Sequence, residues 1–293
     1  MIANILVPLD GSARAERALP VAASVAHATG ARLWLVHALP AMPPLIDREQ
    51  GVDAFTRLDA LAARLREGGL DATARTIHGD AANVILDAVA DMRADLIVMS
   101  THGLGGLGRW LYGSVADQLL ARATVPVLLI PAACDRPLPE GRPTRILVPL
   151  DGSDRSEAAL GPARDLGQAI GADLLLLRVV EQKADFVWQL DPIGVAMRAA
   201  KAEDLAVARE YLDGIAAPPG PSERPVDLLV DEGDPASVIP RIARQEEVDL
   251  IVMATHGRTG LARLTMGSVA TTTVHRSHVP IVLVRPPGLE QPH

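Results

Sequence analysis

Two segments of this 293-residue chain carry residue types that could hold an anion. The first runs Thr101-His102-Gly103, nine residues, then Gly113-Ser114-Val115. The second runs Thr255-His256-Gly257, nine residues, then Gly267-Ser268-Val269. Glycine lets backbone amides approach a ligand closely. A helix that starts at Gly-Ser also presents unpaired N–H groups and the positive end of its dipole, which attract phosphate. The Ser114 and Ser268 hydroxyls can donate to a phosphate oxygen as well. The same residues fit a plainer role, a loop end followed by an N-cap serine. Because the spacing recurs while the intervening residues differ, the anion cradle is the favoured reading.

Two other phosphate motifs fail. Read literally, Gly103-Leu104-Gly105-Gly106-Leu107-Gly108 satisfies G-x-G-x-x-G. In the second segment Thr259 and Ala262 replace Gly105 and Gly108, so the pattern is lost. It also follows the fourth strand-like run instead of the first, where a dinucleotide fingerprint belongs. The chain has only two lysines, Lys183 and Lys201, and neither lies in a glycine-rich loop, so there is no Walker loop. Asp10 and Asp151 stand in repeated "LDGS" strings. Each could meet a ligand, hold the turn in front of an N-cap Ser12 or Ser153, or do both. His102 and His256 recur with no accompanying acid, nucleophile or metal cluster and read as turn histidines. Arg109 and Arg263 recur within the loops, where they could close over a terminal phosphate or remain solvated.

The elements that must position these residues occur twice. "ILVPLDGS" at Ile5–Ser12 returns at Ile146–Ser153, "GDAANVI" at Gly79 returns as "GDPASVI" at Gly233, and "DLIVMSTHG" at Asp95 returns as "DLIVMATHG" at Asp249. The second copy carries an insertion within Glu181–Arg224, with a helix expected over Pro192–Leu212. In the first copy strands are expected near Asn4–Leu9, Arg32–Leu39, Ala72–Ile77, Asp95–Ser100 and Pro126–Ile130. Helices are expected near Ser12–Ala28, Asp47–Glu67, Ala81–Met92 and Ser114–Ala123. Near-continuous Ile/Leu/Val runs alternating with amphipathic segments predict α/β, doubly wound, Rossmann-like domains with parallel sheets. Gly30 and Gly171 should end the first helix of each copy, and Asp234-Pro235 should cap and start another. The expected division is a domain over 1–133, a Pro-rich linker over 134–144 and a second domain over 145–288.

Composition bounds the function. Net charge is −8, which argues against a nucleic-acid partner, and a single cysteine, Cys134, suits a reducing compartment. The amino-terminal run reads as a first strand and not a signal peptide. No apolar run approaches a membrane span, so cytoplasmic location is expected. "VPVLLI" and "VPIVLV" carry no charge. As bare sheet edges they would be a liability. The expectation is therefore an internal pseudo-dimer in which 127–130 pairs with 281–284, with a homodimer of chains also open.

With these residues in place, the chain resembles the universal stress protein family in its tandem two-domain form. That family's nucleotide signature is G-x-x-G, nine residues, then G-[ST]. The last three positions match in both copies, and Ser100 and Ala254 stand where the first glycine would be. The resemblance implies flavodoxin-like five-stranded sheets of order 3-2-1-4-5 and an ATP site, with or without magnesium, between the ends of strands one and four. It places Asp10 and Asp151 near ribose or a phosphate-bound metal, and Ala38 and Val179 against adenine through their backbone. The implied contact set is Asp10, Ala38, Ser100, Gly103, Gly106, Gly113, Ser114 and Val115 in one copy. In the other it is Asp151, Val179, Ala254, Gly257, Gly260, Gly267, Ser268 and Val269. The implied role is adenine-nucleotide binding in stress response or signalling. A slow ATP hydrolase or phosphotransferase, or a scaffold with vestigial sites, stands as the alternative.

Overall fold

The computed structural model describes residues 2–40, 48–101, 114–134, 138, 144–181, 191–216, 224, 226–257 and 266–288. In the first copy the apolar runs form β1 (Asn4–Pro8), β2 (Arg32–Leu39), β3 (Ala72–His78), β4 (Leu96–Ser100) and β5 (Val127–Ile130). In the second they form β6 (Thr144–Leu150), β7 (Ala172–Val180), β8 (Val226–Glu232), β9 (Leu250–Ala254) and β10 (Ile281–Val284). Every residue of β4, β5, β9 and β10 is buried. Strands covered on both faces have no polar side to alternate with, which is why these segments are uniformly apolar.

The strands make one sheet in the order β3-β2-β1-β4-β5-β10-β9-β6-β7-β8. Neighbours within each copy are parallel. The join is antiparallel, with Val127 opposite Leu283, Leu128 opposite Val282 and Leu129 opposite Ile281. The two uncharged edges thus cover each other, as expected. Since the halves run in opposite directions, their strand carboxyl ends lie at opposite ends of the sheet.

Helices cover both faces: α1 (Ala18–Thr29), α2 (Arg48–Glu67), α3 (Ala81–Asp91) and α4 (Ser114–Arg122), then α5 (Asp154–Glu157), α6 (Leu160–Ile170), α7 (Asp191–Ile215), α8 (Pro235–Gln245) and α9 (Ser268–Arg276). The single helix expected over Ser12–Ala28 is instead a 3-10 turn at Ala15–Arg17 followed by α1. Pro20 has no N–H to give the Glu16 carbonyl, so the α-helical ladder lacks a rung where the 3-10 turn meets α1. Pro162, near the start of α6, likewise has no N–H to give the Ala158 carbonyl. Gly30 and Gly171 end their helices in the left-handed region, at φ 71° and 67°. Asp80 accepts from the Asn83 amide at 3.1 Å to cap α3, and Asp234 caps α8 with Pro235 at its first position.

Each face of the sheet carries one apolar layer that continues across the join. One layer joins Ile5, Val7, Leu33 and Val25 to Ile146, Val148 and Leu176. The other joins Leu6, Ile97, Ile85 and Leu119 to Leu147, Ile251 and Ile239. Each such fully buried side chain contributes about 1.5–3 kcal/mol relative to exposure, and the layers run unbroken from one copy to the other. The Arg17 guanidinium fastens the chain beyond β5. It donates to the carbonyls of Pro131 at 3.3 Å, Ala132 at 3.0 Å and Cys134, and the Cys134 and Leu138 side chains are buried below.

Candidate functional site

Between β1 and β4, and again between β6 and β9, the chain connections depart in opposite directions. A crevice opens beyond the strand carboxyl ends at such a point. Cleft one has a volume of about 440 Å³ and cleft two about 290 Å³. Both are near the lower end of the ~300–1,000 Å³ common for small-molecule sites.

Of the residues expected to meet a ligand, Asp10, Ala38, Ser100 and Val115 line cleft one. Asp151, Val179, Ala254, Gly257, Gly267, Ser268 and Val269 line cleft two. Ser114 opens α4 and is exposed but is not among the lining residues of cleft one. Gly103, Gly106, Gly113 and Gly260 lie outside the described residues, as do His102, Arg109 and Arg263.

The aspartates hold turns. Asp10 Oδ1 accepts from the Ser12 amide at 2.9 Å, and Ser12 Oγ accepts from the Ala15 amide at 3.1 Å. In the second copy Asp151 Oδ1 accepts from the Ser153 amide at 3.0 Å and its hydroxyl at 2.6 Å, while Ser153 Oγ accepts from the Ser156 amide at 3.2 Å. Both carboxylates line their clefts as well, so the turn role and a ligand role occupy the same side chain.

Gly257 owes its identity to Asp151. A Cβ built at 257 would overlap Asp151 Oδ2 and lie 3.1 Å from Cγ. The carboxylate therefore reaches from the end of β6 across the crevice to the backbone beyond β9, and in this rotamer it fills the space a side chain at 257 would need. At Gly267 a Cβ would be 3.4 Å from the Thr255 carbonyl, an ordinary contact.

The start of α9 shows how the expected N-cap serine is placed. Gly267 occupies the cap position and Ser268 is the first helical residue, so the serine hydroxyl does not cap. The Gly267 amide is used internally, donating to the Thr255 carbonyl at 2.8 Å. The first intrahelical bond is Thr271 N to Gly267 O at 2.9 Å. The amides of Ser268, Val269 and Ala270 precede it, have no helical acceptor, and belong to residues that line cleft two. Ser268 itself is exposed.

Ser100 and Ala254 end β4 and β9 with only 8% and 7% of their surface exposed, each presenting a Cβ at the cleft floor. His256 is buried, with Nδ1 3.2 Å from Thr255 Oγ1, consistent with a turn histidine, and it also lines cleft two. At the equivalent β2 and β7 positions the copies differ. His37 lies buried below the Asp10-Gly11 turn; burial pushes its imidazole below the usual value, and the Asp10 charge pulls partly the other way. Arg178 instead donates to the Leu150 carbonyl at 3.3 Å and lies 6.0 Å over the Tyr211 ring. Burial, then the hydroxyl's bond to Glu157 at 2.9 Å, raise the Tyr211 phenol.

Sequence reasoning did not include the third βα unit. Ala81 and Ile85 at the start of α3 line cleft one, and Asp234, Pro235 and Ile239 at the start of α8 line cleft two. The signal was present in the repeated "GD-x-A-x-V-I". Gly79 and Gly233 have φ of 152° and 133°, and a Cβ at either would press on Val84 or Val238 at 2.8 and 3.1 Å. These glycines bring α3 and α8 down onto the clefts. Arg14 in cleft one, and Arg178 and Glu181 in cleft two, were likewise not anticipated.

The model of the Universal stress protein family matches residues 1–131 and 143–285. A universal stress protein of Mycolicibacterium smegmatis is 28% identical over 307 aligned residues, covering 97% of this chain and 97% of its own. One from Thermus aquaticus is 38% identical over 136 residues, which is 44% of this chain and 99% of the relative. Among solved structures, a universal stress protein from Archaeoglobus fulgidus superposes with a TM-score of 0.68 at 20% identity, covering 96% of this chain and 98% of that one. At that identity the likeness concerns the fold.

Proposed function

Since the chain belongs to the universal stress protein family in its tandem form, we propose that it is a cytoplasmic adenine-nucleotide-binding module of stress response or signalling, with one site in each cleft. The observation that carries this reading is the opening of α9. Three amides without helical acceptors and an exposed serine hydroxyl converge on a cleft that the strand-end aspartate also lines. Apolar walls suited to a base stand across each cleft: Val36, Ala38 and Ile85 in one, Val179, Ile239 and Met253 in the other.

In this reading Ala38 and Val179 meet adenine through their backbone, and Asp10 and Asp151 face ribose or a magnesium ion carried on the phosphates. Ser114, Val115, Ser268 and Val269 receive the phosphates, with Gly103, Gly106, Gly113, Gly257, Gly260 and Gly267 giving the loops their reach. Ser100 and Ala254 narrow the floor by a methyl-sized group. Neither cleft contains a lysine among its described lining residues, and no residue is assigned a catalytic role. Nucleotide is held to bias conformation or partner choice.

Equilibrium dialysis of the full chain against labelled ATP, with and without magnesium, tests the reading. Saturable binding at sub-millimolar ligand is expected. No saturation at millimolar ligand in either condition would overturn it and leave a scaffold with vestigial sites.

A further inference from the structure

The lining of cleft one follows the order of the sheet. Val36 and Ala38 on β2 make an apolar wall, Leu9 and Asp10 follow β1, Ser100 ends β4, and Val115 lies in the first turn of α4. The register that sets Ile5 beside Leu96 and Leu6 beside Ile97, carried along both strands, brings Ser100 level with Leu9 and next to Asp10. Only 8% of Ser100 is exposed, and its hydroxyl has no hydrogen-bond partner among the described residues. The neighbouring Thr101 hydroxyl, by contrast, donates to the Ile130 carbonyl at 3.3 Å. A serine hydroxyl can donate once and accept twice, and burial without a partner costs free energy that a ligand atom can recover. The strand itself does not demand this hydroxyl. In the second copy "DLIVMA" stands where the first has "DLIVMS". The corresponding register of β6 and β9 brings Ala254 level with Leu150, and both line cleft two.

We propose that Ser100 hydrogen-bonds a sugar hydroxyl of the nucleotide, so that cleft one selects ribonucleotides over deoxyribonucleotides, while cleft two, with Ala254 at the same place, lacks this contact. The inference rests on the nucleotide reading of both clefts. A base on the wall of Val36 and Ala38, with phosphates at the start of α4, leaves the sugar between them over β1 and β4, where Leu9 and Ser100 form the floor. An aspartate lines each cleft, so a sugar contact through that carboxylate is common to both. At the floor position the hydroxyl is the difference. A site that hydrogen-bonds a ligand hydroxyl rejects the analogue lacking it, because its own buried group is then left unpaired. For one neutral bond the discrimination is about two- to tenfold.

The test is calorimetric titration of the full chain with ATP, 2′-deoxy-ATP and 3′-deoxy-ATP as separate probes. Ser100→Ala should weaken ATP at one of the two sites by about fivefold and change at least one deoxy analogue there by less than about twofold. The other site should keep its affinities for all three. Ala254→Ser should carry the preference to that second site, tightening ATP by about fivefold relative to the same analogue. Should Ser100→Ala weaken all three nucleotides alike, or none of them, the hydroxyl does not read the sugar; the inference falls and the nucleotide reading stands. A preference that Ala254→Ser fails to confer overturns it in the same way. If the parent chain binds none of the probes, the nucleotide reading fails and the inference fails with it.

Discussion

Replacing Gly257 by alanine tests the contact that ties the two walls of cleft two together. The new Cβ would overlap Asp151 Oδ2 and approach Cγ to 3.1 Å, so the carboxylate must rotate away. Rotation strains or breaks its bonds to the Ser153 amide at 3.0 Å and hydroxyl at 2.6 Å. A hydrogen bond to a charged group contributes about 1.5–3 kcal/mol. Asp151 is only half-buried, so water replaces part of what is lost, and a net cost of about 2 kcal/mol is expected. For a unit of 150–250 residues that corresponds to a Tm lower by roughly 4–8 °C. The assay is thermal and urea unfolding of four chains: the parent, Gly257→Ala, Asp151→Ala and the double variant. Once Asp151 is gone, the alanine at 257 has nothing to strike. The cycle should therefore show a coupling of at least about 1 kcal/mol. If Gly257→Ala costs as much in the Asp151→Ala background as in the parent, the glycine serves the backbone alone and the steric account is wrong.

Other outcomes follow from the same geometry. Arg17→Ala should release the segment after β5 that its guanidinium holds by the carbonyls of Pro131, Ala132 and Cys134. The Cys134 thiol, 2% exposed in the parent, should then react with a maleimide at least about tenfold faster, by the open-state logic of local unfolding; an unchanged rate would remove the clamp. Amide exchange at 127–130 and 281–284 should be as slow as in β1, because each of these strands has a hydrogen-bonded neighbour on both sides. Fast exchange there would contradict the join. His37 is held below its usual value of about 6.5 by burial. The unfolded chain therefore binds the proton more readily, and the stability contributed by neutral His37 is present above about pH 6.5 and lost as pH falls through the folded value. Parent and His37→Gln should accordingly diverge less in urea midpoint at pH 5 than at pH 7.5. A difference independent of pH would show that His37 does not titrate in this window.

Much of the architecture was legible because it is written in local patterns, twice. Uniform apolar runs gave the strands, Gly30 and Gly171 gave helix ends, and the uncharged "VPVLLI" and "VPIVLV" required a partner that proved to be each other. Pro20 shows where local pattern misleads. The amphipathic run from Ser12 reads through it, but the missing N–H makes the first turn 3-10. The approach of Asp151 to Gly257 spans most of the second copy, and no periodicity encodes it. The three-carbonyl clamp by Arg17 is equally long-range, and in the second copy Ala158 stands in its place. Such contacts belong to tertiary packing, and the sequence offers only the residue types that permit them.

The duplication separates two uses of glycine that a single domain would confuse. Gly79 and Gly233 are repeated because a side chain there would strike Val84 or Val238 and lift α3 or α8 off its cleft. Gly257 has the Asp151 carboxylate, from just beyond the first strand of its own copy, lying where a side chain would stand. Both uses hold with no ligand bound, so recurrence alone marks a position as constrained without saying by what. The amides at the start of α9 are the different case. They are left without acceptors among the described residues, although a Ser-cap one position earlier would have satisfied one of them at little cost. A fold that caps α3 with Asp80 and α8 with Asp234 places at the start of α9 a glycine that offers no side-chain cap.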